Sequence, residues 1–271
     1  MSMRRLLVYV MLIAGAVSFI YPFLWMGSIS LRPISEFHDL GLFSENFTLA
    51  NYQAVFDRIP IGRAFINSCF IAGTVTCSVL FFSSLVGYSL AKLQFKGQGA
   101  IMAIVMISMM IPGQLTLIPL YQLIVYFGWA DSYLGLIVPS LMSGLGILIF
   151  RQTFMTIPYE LMEAARMEGA SEFQILRKIF WPLAKPAIVI IGILTFMGSW
   201  NEVLWPMIVV HDKAMMTLPQ MVVLFTKGGE SGGQFGIEMA ANMMLVLPII
   251  ISYSFFQKYF VEALASSGIK G

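Results

Sequence analysis

The chain has 271 residues, with 16 Lys and Arg side chains against 14 Asp and Glu and a formal net charge of +2. Hydrophobic residues make up 58% of the chain and charged residues 11%, whereas a soluble globular domain carries about 25% charged residues. The mean hydropathy is +0.83. This composition excludes a soluble globular protein and predicts an integral membrane protein.

Uninterrupted apolar blocks define the architecture. A transmembrane helix needs about 20 apolar residues, because each residue rises about 1.5 Å along the helix. The sustained alternation typical of transmembrane β-strands is absent. The sequence therefore predicts an all-α integral membrane protein, with a single transmembrane domain over residues 1–271. Its six predicted transmembrane helices cover residues 6–31, 64–91, 98–127, 132–150, 186–210 and 238–258.

Two of these spans contain residues with a particular structural consequence. Pro112 and Pro119 lie in the third span and predict a kink there, because proline removes a backbone donor and its ring clashes with the preceding turn. The second span carries a row of small residues at helical spacing, Ser83, Gly87 and Ala91. Such a row predicts the close approach of another helix.

Lysine and arginine set the orientation, because cytoplasmic loops of membrane proteins carry an excess of both. If the N-terminus is cytoplasmic, eleven of these side chains fall in inside segments: Arg4, Arg5, Lys92, Lys96, Arg151, Arg166, Arg177, Lys178, Lys185, Lys258 and Lys270. Five fall outside: Arg32, Arg58, Arg63, Lys213 and Lys227. Both termini are therefore predicted in the cytoplasm, together with the loop 151–185 between spans four and five.

The N-terminal segment has a second interpretation. Arg4 and Arg5, followed by an apolar run and Ala14-Gly15-Ala16, imitate a secretory signal peptide with a small-residue cleavage site. The apolar run continues to Ile29, however, which is too long for the apolar region of such a peptide. We therefore expect the first span to be retained.

Side chains that support catalysis or metal binding are sparse. Cys69 and Cys77 lie about 12 Å apart along one predicted helix, which is beyond the reach of a disulfide. His38 and His211 fall in separate outer loops without Cys or acidic partners at ligand spacing. The chain also has no Walker A, H-E-x-x-H or G-x-S-x-G pattern. We expect no enzyme, no metal site, no cofactor held by this chain and no nucleic-acid partner.

The loop 151–185 begins with the pattern of a short helix. Pro158 fits a first helical turn, and good helix formers run from Tyr159 to Glu168. Gly169 follows, and glycine is the usual left-handed residue after a helix end. The sequence therefore predicts a short helix with a defined stop.

A second helix is predicted immediately afterwards. Ser171 with Gln174 forms a capping-box pattern, and Pro182 and Pro186 are expected to end the helix and lead into span five. Its predicted apolar face is Phe173, Leu176, Ile179 and Phe180, and its basic face is Arg177 and Lys178. The apolar face can rest on the membrane-embedded bundle while the end bearing Gly169 projects into the cytosol. Alternatively, the helix pair lies on the bilayer surface and contacts no partner.

These residues resemble the EAA loop of the permeases of ABC importers. The pattern of that loop is E-A-A, three residues, G, nine residues and I-x-L-P, and the matching residues here are Glu163, Ala164, Ala165, Gly169, Ile179 and Pro182. The sequence departs from the pattern at Trp181, where leucine is usual, and at Glu168, where the sugar-importer version usually has aspartate.

Further stretches resemble the smaller six-span subunit of the maltose-type carbohydrate permeases over nearly the whole chain. They are "YSLAKLQFKG" at 88–97, "IPLYQL" at 118–123, "WNEVLWP" at 200–206, Thr217-Leu218-Pro219 and "QKYFVEALASSGIKG" at 257–271. The resemblance implies a multi-pass permease subunit in a prokaryotic plasma (inner) membrane. It would form half of the translocation pathway for a carbohydrate or a related polyol.

The resemblance also implies partners. These are a cytosolic ATPase homodimer that binds the ATP, a second permease subunit, and an extracytoplasmic substrate-binding protein; the surrounding lipid bilayer contacts the spans. Closure of the ATPase on ATP would draw the docked loops together and reopen the spans outward. The ATPase-coupling residues would be Glu163, Ala164, Ala165, Arg166, Glu168, Gly169, Ala170, Ile179 and Pro182. Which sugar is carried, and whether the permease core is a heterodimer or a homodimer, stay open.

A second candidate site lies in span five. Glu202 and Asn201 are able to hydrogen-bond a hydroxylated substrate, and Trp200 is able to stack on a sugar ring. Alternatively, Glu202 makes a structural contact between subunits, and the tryptophan marks the membrane interface. A self-contained channel or secondary carrier without an ATPase is the alternative function for the whole chain.

Overall fold

A computed structural model describes residues 3–33 and 46–268 of the chain, with side chains described as far as residue 251 and at 254. Within these ranges the fold is helical and contains no β-strand, which confirms the all-α prediction. The helices are α1 Met3–Ser30, α2 Ala50–Arg58, α3 Ile61–Lys92, α4 Gln98–Met110, α5 Gly113–Tyr126, α6 Tyr133–Ile137, α7 Gly144–Met155, α8 Glu160–Met167, α9 Glu172–Ile175, α10 Trp181–Leu183, α11 Lys185–Trp200, α12 Leu204–Val209, α13 Leu218–Lys227 and α14 Phe235–Gly268.

By length and composition, three helical segments of the described chain are able to cross a membrane: Met3–Ser30, Ile61–Lys92 and Tyr133–Met155. Two bent pairs raise the number to five if each pair is one span: Gln98–Met110 with Gly113–Tyr126, and Glu172–Leu183 with Lys185–Trp200. The predicted sixth span falls within α14, and the part of this helix whose side chains are described contributes the apolar stretch Phe235–Ile251. Six spans and two cytoplasmic termini therefore stay predictions.

The predicted third span bends sharply at Pro112. Helices α4 and α5 differ in direction by 103°, and Ile111 between them is extended, with φ −82° and ψ 117°. Proline disfavours helical geometry in the residue before it and has no N–H for the preceding turn, which accounts for the break. Pro119 lies inside α5 without ending it, so the break is at the first of the two prolines.

A continuous helix through the predicted fifth span is wrong. Helix α11 ends at Trp200, and α12 begins only at Leu204. Pro206 has no N–H to donate to the carbonyl of Glu202, so the helical hydrogen bond that would bridge the break is missing. Instead the Glu202 Oε1 accepts a hydrogen bond of 3.1 Å from the backbone N–H of Trp205. The carboxylate therefore helps to start α12.

The chain divides into two compact units. The first is made of Met1–Ala64 and Leu218–Ser252. In this unit Arg58 donates hydrogen bonds to the backbone oxygens of Glu230, at 3.2 Å, and Ser231, at 2.7 Å. Ser231 is fully buried, so the glycine-rich loop around it has a defined conformation.

The second unit is made of Phe65–Thr217 and Tyr253–Gly271, and α3 and α7 approach each other closely within it. A Cβ atom added to Gly87 would lie 2.7 Å from the Cβ of Phe150 and 3.1 Å from the carbonyl oxygen of Ile147. Ser83, one turn earlier, accepts a hydrogen bond of 3.2 Å from the backbone N–H of Ser143. The predicted close approach at Ser83 and Gly87 is therefore confirmed.

Replacing Gly87 by alanine is expected to destabilise the protein by about 1–3 kcal/mol, because the added methyl group overpacks a helix contact with backbone on the other side. Gly73 on the same helix provides a matched control, since a Cβ there meets nothing within 4 Å. Gly73→Ala is expected to be neutral or slightly stabilising. Thermal unfolding of both variants in detergent, followed by tryptophan fluorescence, measures the difference; equal melting temperatures would contradict the packing described here.

Candidate functional site: the helix pair of loop 151–185 and the break between α11 and α12

The first helix of the loop ends as the sequence predicts. Gly169 has φ +81°, the left-handed conformation in which glycine is favoured. Its N–H donates to the Arg166 carbonyl at 2.9 Å, and the N–H of Ala170 donates to the Ala165 carbonyl at 3.0 Å. These two bonds form a Schellman motif, which satisfies the last carbonyls of α8 and turns the chain sharply.

The second helix starts as predicted and ends later. Ser171 and Gln174 form a capping box, with reciprocal hydrogen bonds of 2.9 and 3.4 Å. The helix then widens into a π segment, Leu176–Phe180, and continues to Leu183. Pro182 therefore does not end it. The wider π turn is the reason, because it relieves the clash between a proline ring and the turn before it.

The apolar face of this second helix differs from the prediction in one position. Leu176 and Phe180 are buried as expected, but Phe173 is 46% exposed and Ile175 is buried in its place. The π segment adds a residue to the turn, which rotates the later positions relative to Phe173 by roughly 100°. Ile179 is only half-buried.

Aromatic contacts hold the loop against α3 and α7. Phe180 lies 5.0 Å from the Tyr88 ring and 5.4 Å from the Phe154 ring, measured between centroids, and both contacts are edge-on. Met162 of α8 is also fully buried. The Lys92 ammonium donates to the Ile157 carbonyl where the chain leaves α7. The base of the loop is therefore packed against α3 and α7.

A polar network joins the two loop helices. Arg166 pairs with the Oε1 of Glu172 through Nε at 2.8 Å and Nη2 at 2.7 Å, and its Nη1 donates to the Tyr159 hydroxyl at 3.3 Å. These hydrogen bonds, to Tyr159 and to Glu172, raise the pKa of the Arg166 guanidinium. The other carboxylate oxygen of Glu172 accepts from the Tyr88 hydroxyl at 2.6 Å. Arg166 and Glu172 thus bind each other.

The remaining predicted coupling residues are arranged around the tip of the loop. The exposed ones are Glu163, Ala164, Glu168, Gly169 and, on the second helix, Pro182; Ala165 and Ala170 are half-buried. Sequence reasoning missed Met167, which is 89% exposed. Its position, a long apolar side chain in the last turn before Gly169, was the available signal. The tip therefore presents two carboxylates and one apolar side chain to solvent.

The structure does not bring Trp200, Asn201 and Glu202 together in one site. Trp200 is 2% exposed and stacks on Phe196 at 5.8 Å, so no face is open to a sugar ring. The Asn201 amide donates to the Met197 carbonyl at 2.9 Å, which closes the end of α11. Glu202 lines a cleft.

Two clefts meet at Glu202. One has a volume of about 390 Å³ and the other about 280 Å³, and Ser140, Glu202 and Trp205 line both. The larger cleft carries further hydroxyl side chains: Ser143, Thr195, Ser199 and Thr217. The smaller carries Gln114 and Thr116. No Lys or Arg lines either cleft, so Glu202 gives the pair a negative charge.

Metal ligands are not gathered anywhere in the part of the chain that the structure describes. No group of three or more His, Cys, Asp or Glu side chains there is placed to hold an ion. His38 lies outside the described residues. Cys69 and Cys77 are exposed free thiols.

Comparisons with known proteins identify the family. The model of the family described as "binding-protein-dependent transport system inner membrane component" matches residues 83–266, which include both the loop and the break in span five. The chain belongs to this family. Members are transport components of the membrane, and the chain is accordingly a non-catalytic permease subunit, as the sequence predicts.

Relatives of this permease are similar to it over nearly their whole length. The arabinooligosaccharides transport system permease protein AraQ of Bacillus subtilis is 35% identical over 275 residues, covering 100% of this chain and 97% of the relative. The trehalose transport system permease protein SugB of Mycobacterium tuberculosis is 31% identical, covering 92% of each chain.

Solved structures share the fold of this permease. A chain of a bacterial ABC transporter that imports the acidic polysaccharide alginate superposes with a TM-score of 0.81 at 24% identity, covering 94% of this chain and 95% of that one. A chain of an alginate transporter in complex with a pentasaccharide-bound periplasmic protein has a TM-score of 0.62 at 16% identity, with 93% coverage of both chains.

Proposed function

We propose that this permease is a subunit of an ATP-driven importer of a carbohydrate or related polyol, and that the loop 151–185 couples it to a cytosolic ATPase homodimer. The observation that best supports this role is the arrangement of the loop. Its base is packed on α3 and α7, while its tip, with Glu163, Met167 and Glu168, is exposed. A tip held on a rigid base suits a partner better than a helix pair lying flat on lipid.

The local structure suits the transmission of a displacement. Helix α8 is short and capped at its end by the Schellman turn at Gly169, so it moves as a unit. ATP binds to the partner and not to this chain. When ATP closes the ATPase dimer, the docked tips are drawn together and the spans reopen outward; hydrolysis then resets them.

The proposed topology has six spans with both termini in the cytoplasm of a prokaryotic cell, in its inner membrane. Helix α1 has an apolar window with none of its residues buried inside the chain, which suits contact with lipid or with a second permease subunit. An extracytoplasmic binding protein would deliver the sugar. The names of the relatives, which are permeases for arabinooligosaccharides and trehalose, support the carbohydrate class.

Affinity purification tests the assembly. The tagged chain is extracted from its native membrane in mild detergent, and accompanying proteins are identified by mass spectrometry. Recovery of an ATPase and a second permease is the expected result. In proteoliposomes with the binding protein added outside, the complex should take up a labelled sugar from a panel of arabinotriose, trehalose, maltose and raffinose only when ATP is inside with the ATPase. A chain recovered alone, with gradient-driven uptake, would instead indicate a secondary carrier.

We further propose that Glu202 lies on the substrate pathway. A carboxylate among hydroxyl side chains is able to accept hydrogen bonds from sugar hydroxyls, and the clefts on its two sides are open. Trp200 and Asn201 would support the break in span five rather than bind the sugar, because one is buried and the other caps α11.

Replacing Glu202 by glutamine is expected to lower the rate of sugar uptake about tenfold at sugar concentrations well below saturation, since a hydrogen bond to a charged group contributes about 1.5 kcal/mol to binding. Uptake of the panel sugars at such concentrations measures the effect. Asp57→Asn is the matched control, because Asp57 is an exposed carboxylate at the end of α2 and lines neither cleft. Uptake by Glu202→Gln at the rate of the control would contradict a role in the substrate pathway, and the hydrogen bond to Trp205 would then be the role that remains for Glu202.

A further inference from the structure

Glu172 is bonded to two different helices through its two carboxylate oxygens. Oε1 receives the Arg166 guanidinium of α8, and Oε2 receives the Tyr88 hydroxyl of α3. Tyr88 also lies 3.4 Å from the Met162 sulfur, but its single proton goes to the carboxylate, which is much the stronger acceptor. The Glu172 side chain is thus held both by α8 and by α3, which is a predicted span.

The Tyr88–Glu172 bond adds a direction that the apolar contacts beneath it lack. The rings of Tyr88, Phe154 and Phe180 form an apolar base, and apolar packing is largely non-directional. A hydrogen bond of 2.6 Å to a charged acceptor fixes distance and angle together. Tyr88 is 3% exposed, so little water competes at its hydroxyl.

Helix α3 connects this contact to the cleft beside Glu202. Ile71, Val75 and Val79 of α3 line the larger cleft, and Tyr88 follows Val79 on the same uninterrupted helix. Tyr88 lies nine positions after Val79, a rise of roughly 14 Å along the helix. A displacement applied at Tyr88 along a continuous helix therefore reaches the cleft wall without another joint.

We propose that Glu172 is a positioning residue that fastens the coupling loop to α3 through Tyr88, so that the loop and α3 move as one body. Arg166 holds Glu172 from the other side and keeps both carboxylate oxygens aimed. The proposal rests on the proposed function only for the source of the movement, which is the ATPase. The fastening itself is a property of this chain.

Distance measurement between spin labels tests the fastening in the full-length chain purified with its partners. One label is placed on the native thiol of Cys77 on α3, after Cys69→Ser, and the other on Arg177→Cys, an exposed position of the second loop helix. Double electron–electron resonance is recorded without nucleotide and after trapping with ATP and vanadate. In the parent protein the distance is expected to agree within about 2 Å between the two states.

Loss of the hydrogen bond between Tyr88 and Glu172 is expected to broaden the distribution of the distance between the two labels. Tyr88→Phe keeps the ring packing and removes only the hydroxyl, and Glu172→Gln keeps the shape and removes the charge. Each should broaden the distance distribution about twofold and make its mean differ between the two states. Glu172→Gln also weakens the pair with Arg166, so the double variant is compared with Glu172→Gln alone and should be no broader than it, because Glu172→Gln already disturbs the bond that Tyr88→Phe removes. Tyr126→Phe, which removes a hydroxyl from a residue that is 82% exposed, should match the parent.

The possible outcomes separate the fastening from the proposed function. Variant distributions that superimpose on the parent, or a parent distance that itself changes with nucleotide, would overturn the fastening. Absence of any co-purifying ATPase would overturn the proposed function instead. In that case the recordings without nucleotide still decide the fastening, since Tyr88→Phe and Glu172→Gln either broaden the distribution or leave it unchanged.

Discussion

Replacing Gly169 by valine is expected to lower ATP-driven uptake at least about tenfold, while the chain still inserts and folds. A left-handed residue costs roughly 1–2 kcal/mol for any side chain with a Cβ, and more for a β-branched one. A Cβ at Gly169 would meet nothing within 4 Å, so sterics outside the backbone do not oppose the change. The strain falls on the Schellman turn and displaces the exposed tip that the ATPase would bind.

Two further substitutions at Gly169 separate conformation from charge. Gly169→Asn is expected to keep most of the uptake, because asparagine tolerates the left-handed region. Gly169→Asp has nearly the same shape but adds a negative charge beside Glu168, and we expect it to uncouple transport. Uptake of the sugar panel, ATP hydrolysis and membrane abundance by immunoblot are measured together. Normal uptake by both Gly169→Val and Gly169→Asp would contradict the proposed coupling role of the loop.

The loop was the most predictable part of the molecule because its signals are local. A capping box is formed by Ser171 and Gln174, three residues apart, and a left-handed glycine is a property of one backbone position. Neither depends on the rest of the fold, and both are present as predicted. The all-helical fold was equally accessible, because the length of an apolar block decides it.

Features that depend on tertiary contacts could not be read from periodicity. The π segment Leu176–Phe180 changes which side chains are buried: Ile175 is buried, whereas Phe173, which an ideal helical period assigned to the apolar face, is 46% exposed and contacts the edge of Phe81. The pairing of Arg166 with Glu172 needs the turn at Gly169 to bring two helices together. A sequence pattern gives charges on a helix but not the partner that each one finds.

The break between α11 and α12 lies between these cases. Pro206 was visible in the sequence, and its effect on the carbonyl of Glu202 follows from local chemistry. The apolar run over 186–210 nevertheless predicted one continuous helix, since hydropathy does not register a missing backbone N–H. The consequence for the candidate site is direct: Trp200 and Glu202 are separated in role, one in the interior and the other at the cleft.

Asn67 holds the second unit together by three hydrogen bonds that the sequence did not indicate. It is fully buried, and its amide donates to the carbonyls of Ala214, at 3.0 Å, and Met216, at 2.9 Å. Its Oδ1 accepts from the Tyr133 hydroxyl at 2.8 Å. One side chain of α3 thereby fixes the segment after α12 and the start of α6, which flank the larger cleft.

Asn67→Asp is expected to destabilise the protein by about 3–5 kcal/mol, because the two carbonyls lose their donor and a carboxylate is buried against them. The melting temperature should fall by roughly 10 °C. Asn201→Asp is the matched control: the same change at an exposed residue removes one hydrogen bond, to Met197, in reach of water. Its melting temperature is expected to change by no more than about 3 °C. Fluorescence-detected unfolding in detergent compares the two variants. Equal decreases in melting temperature would show that the hydrogen bonds of Asn67 contribute no more to stability than the single exposed bond of Asn201. The chemistry of the pair differs only in burial and in the number of acceptors, so the difference measures what the buried amide contributes to the walls of the cleft.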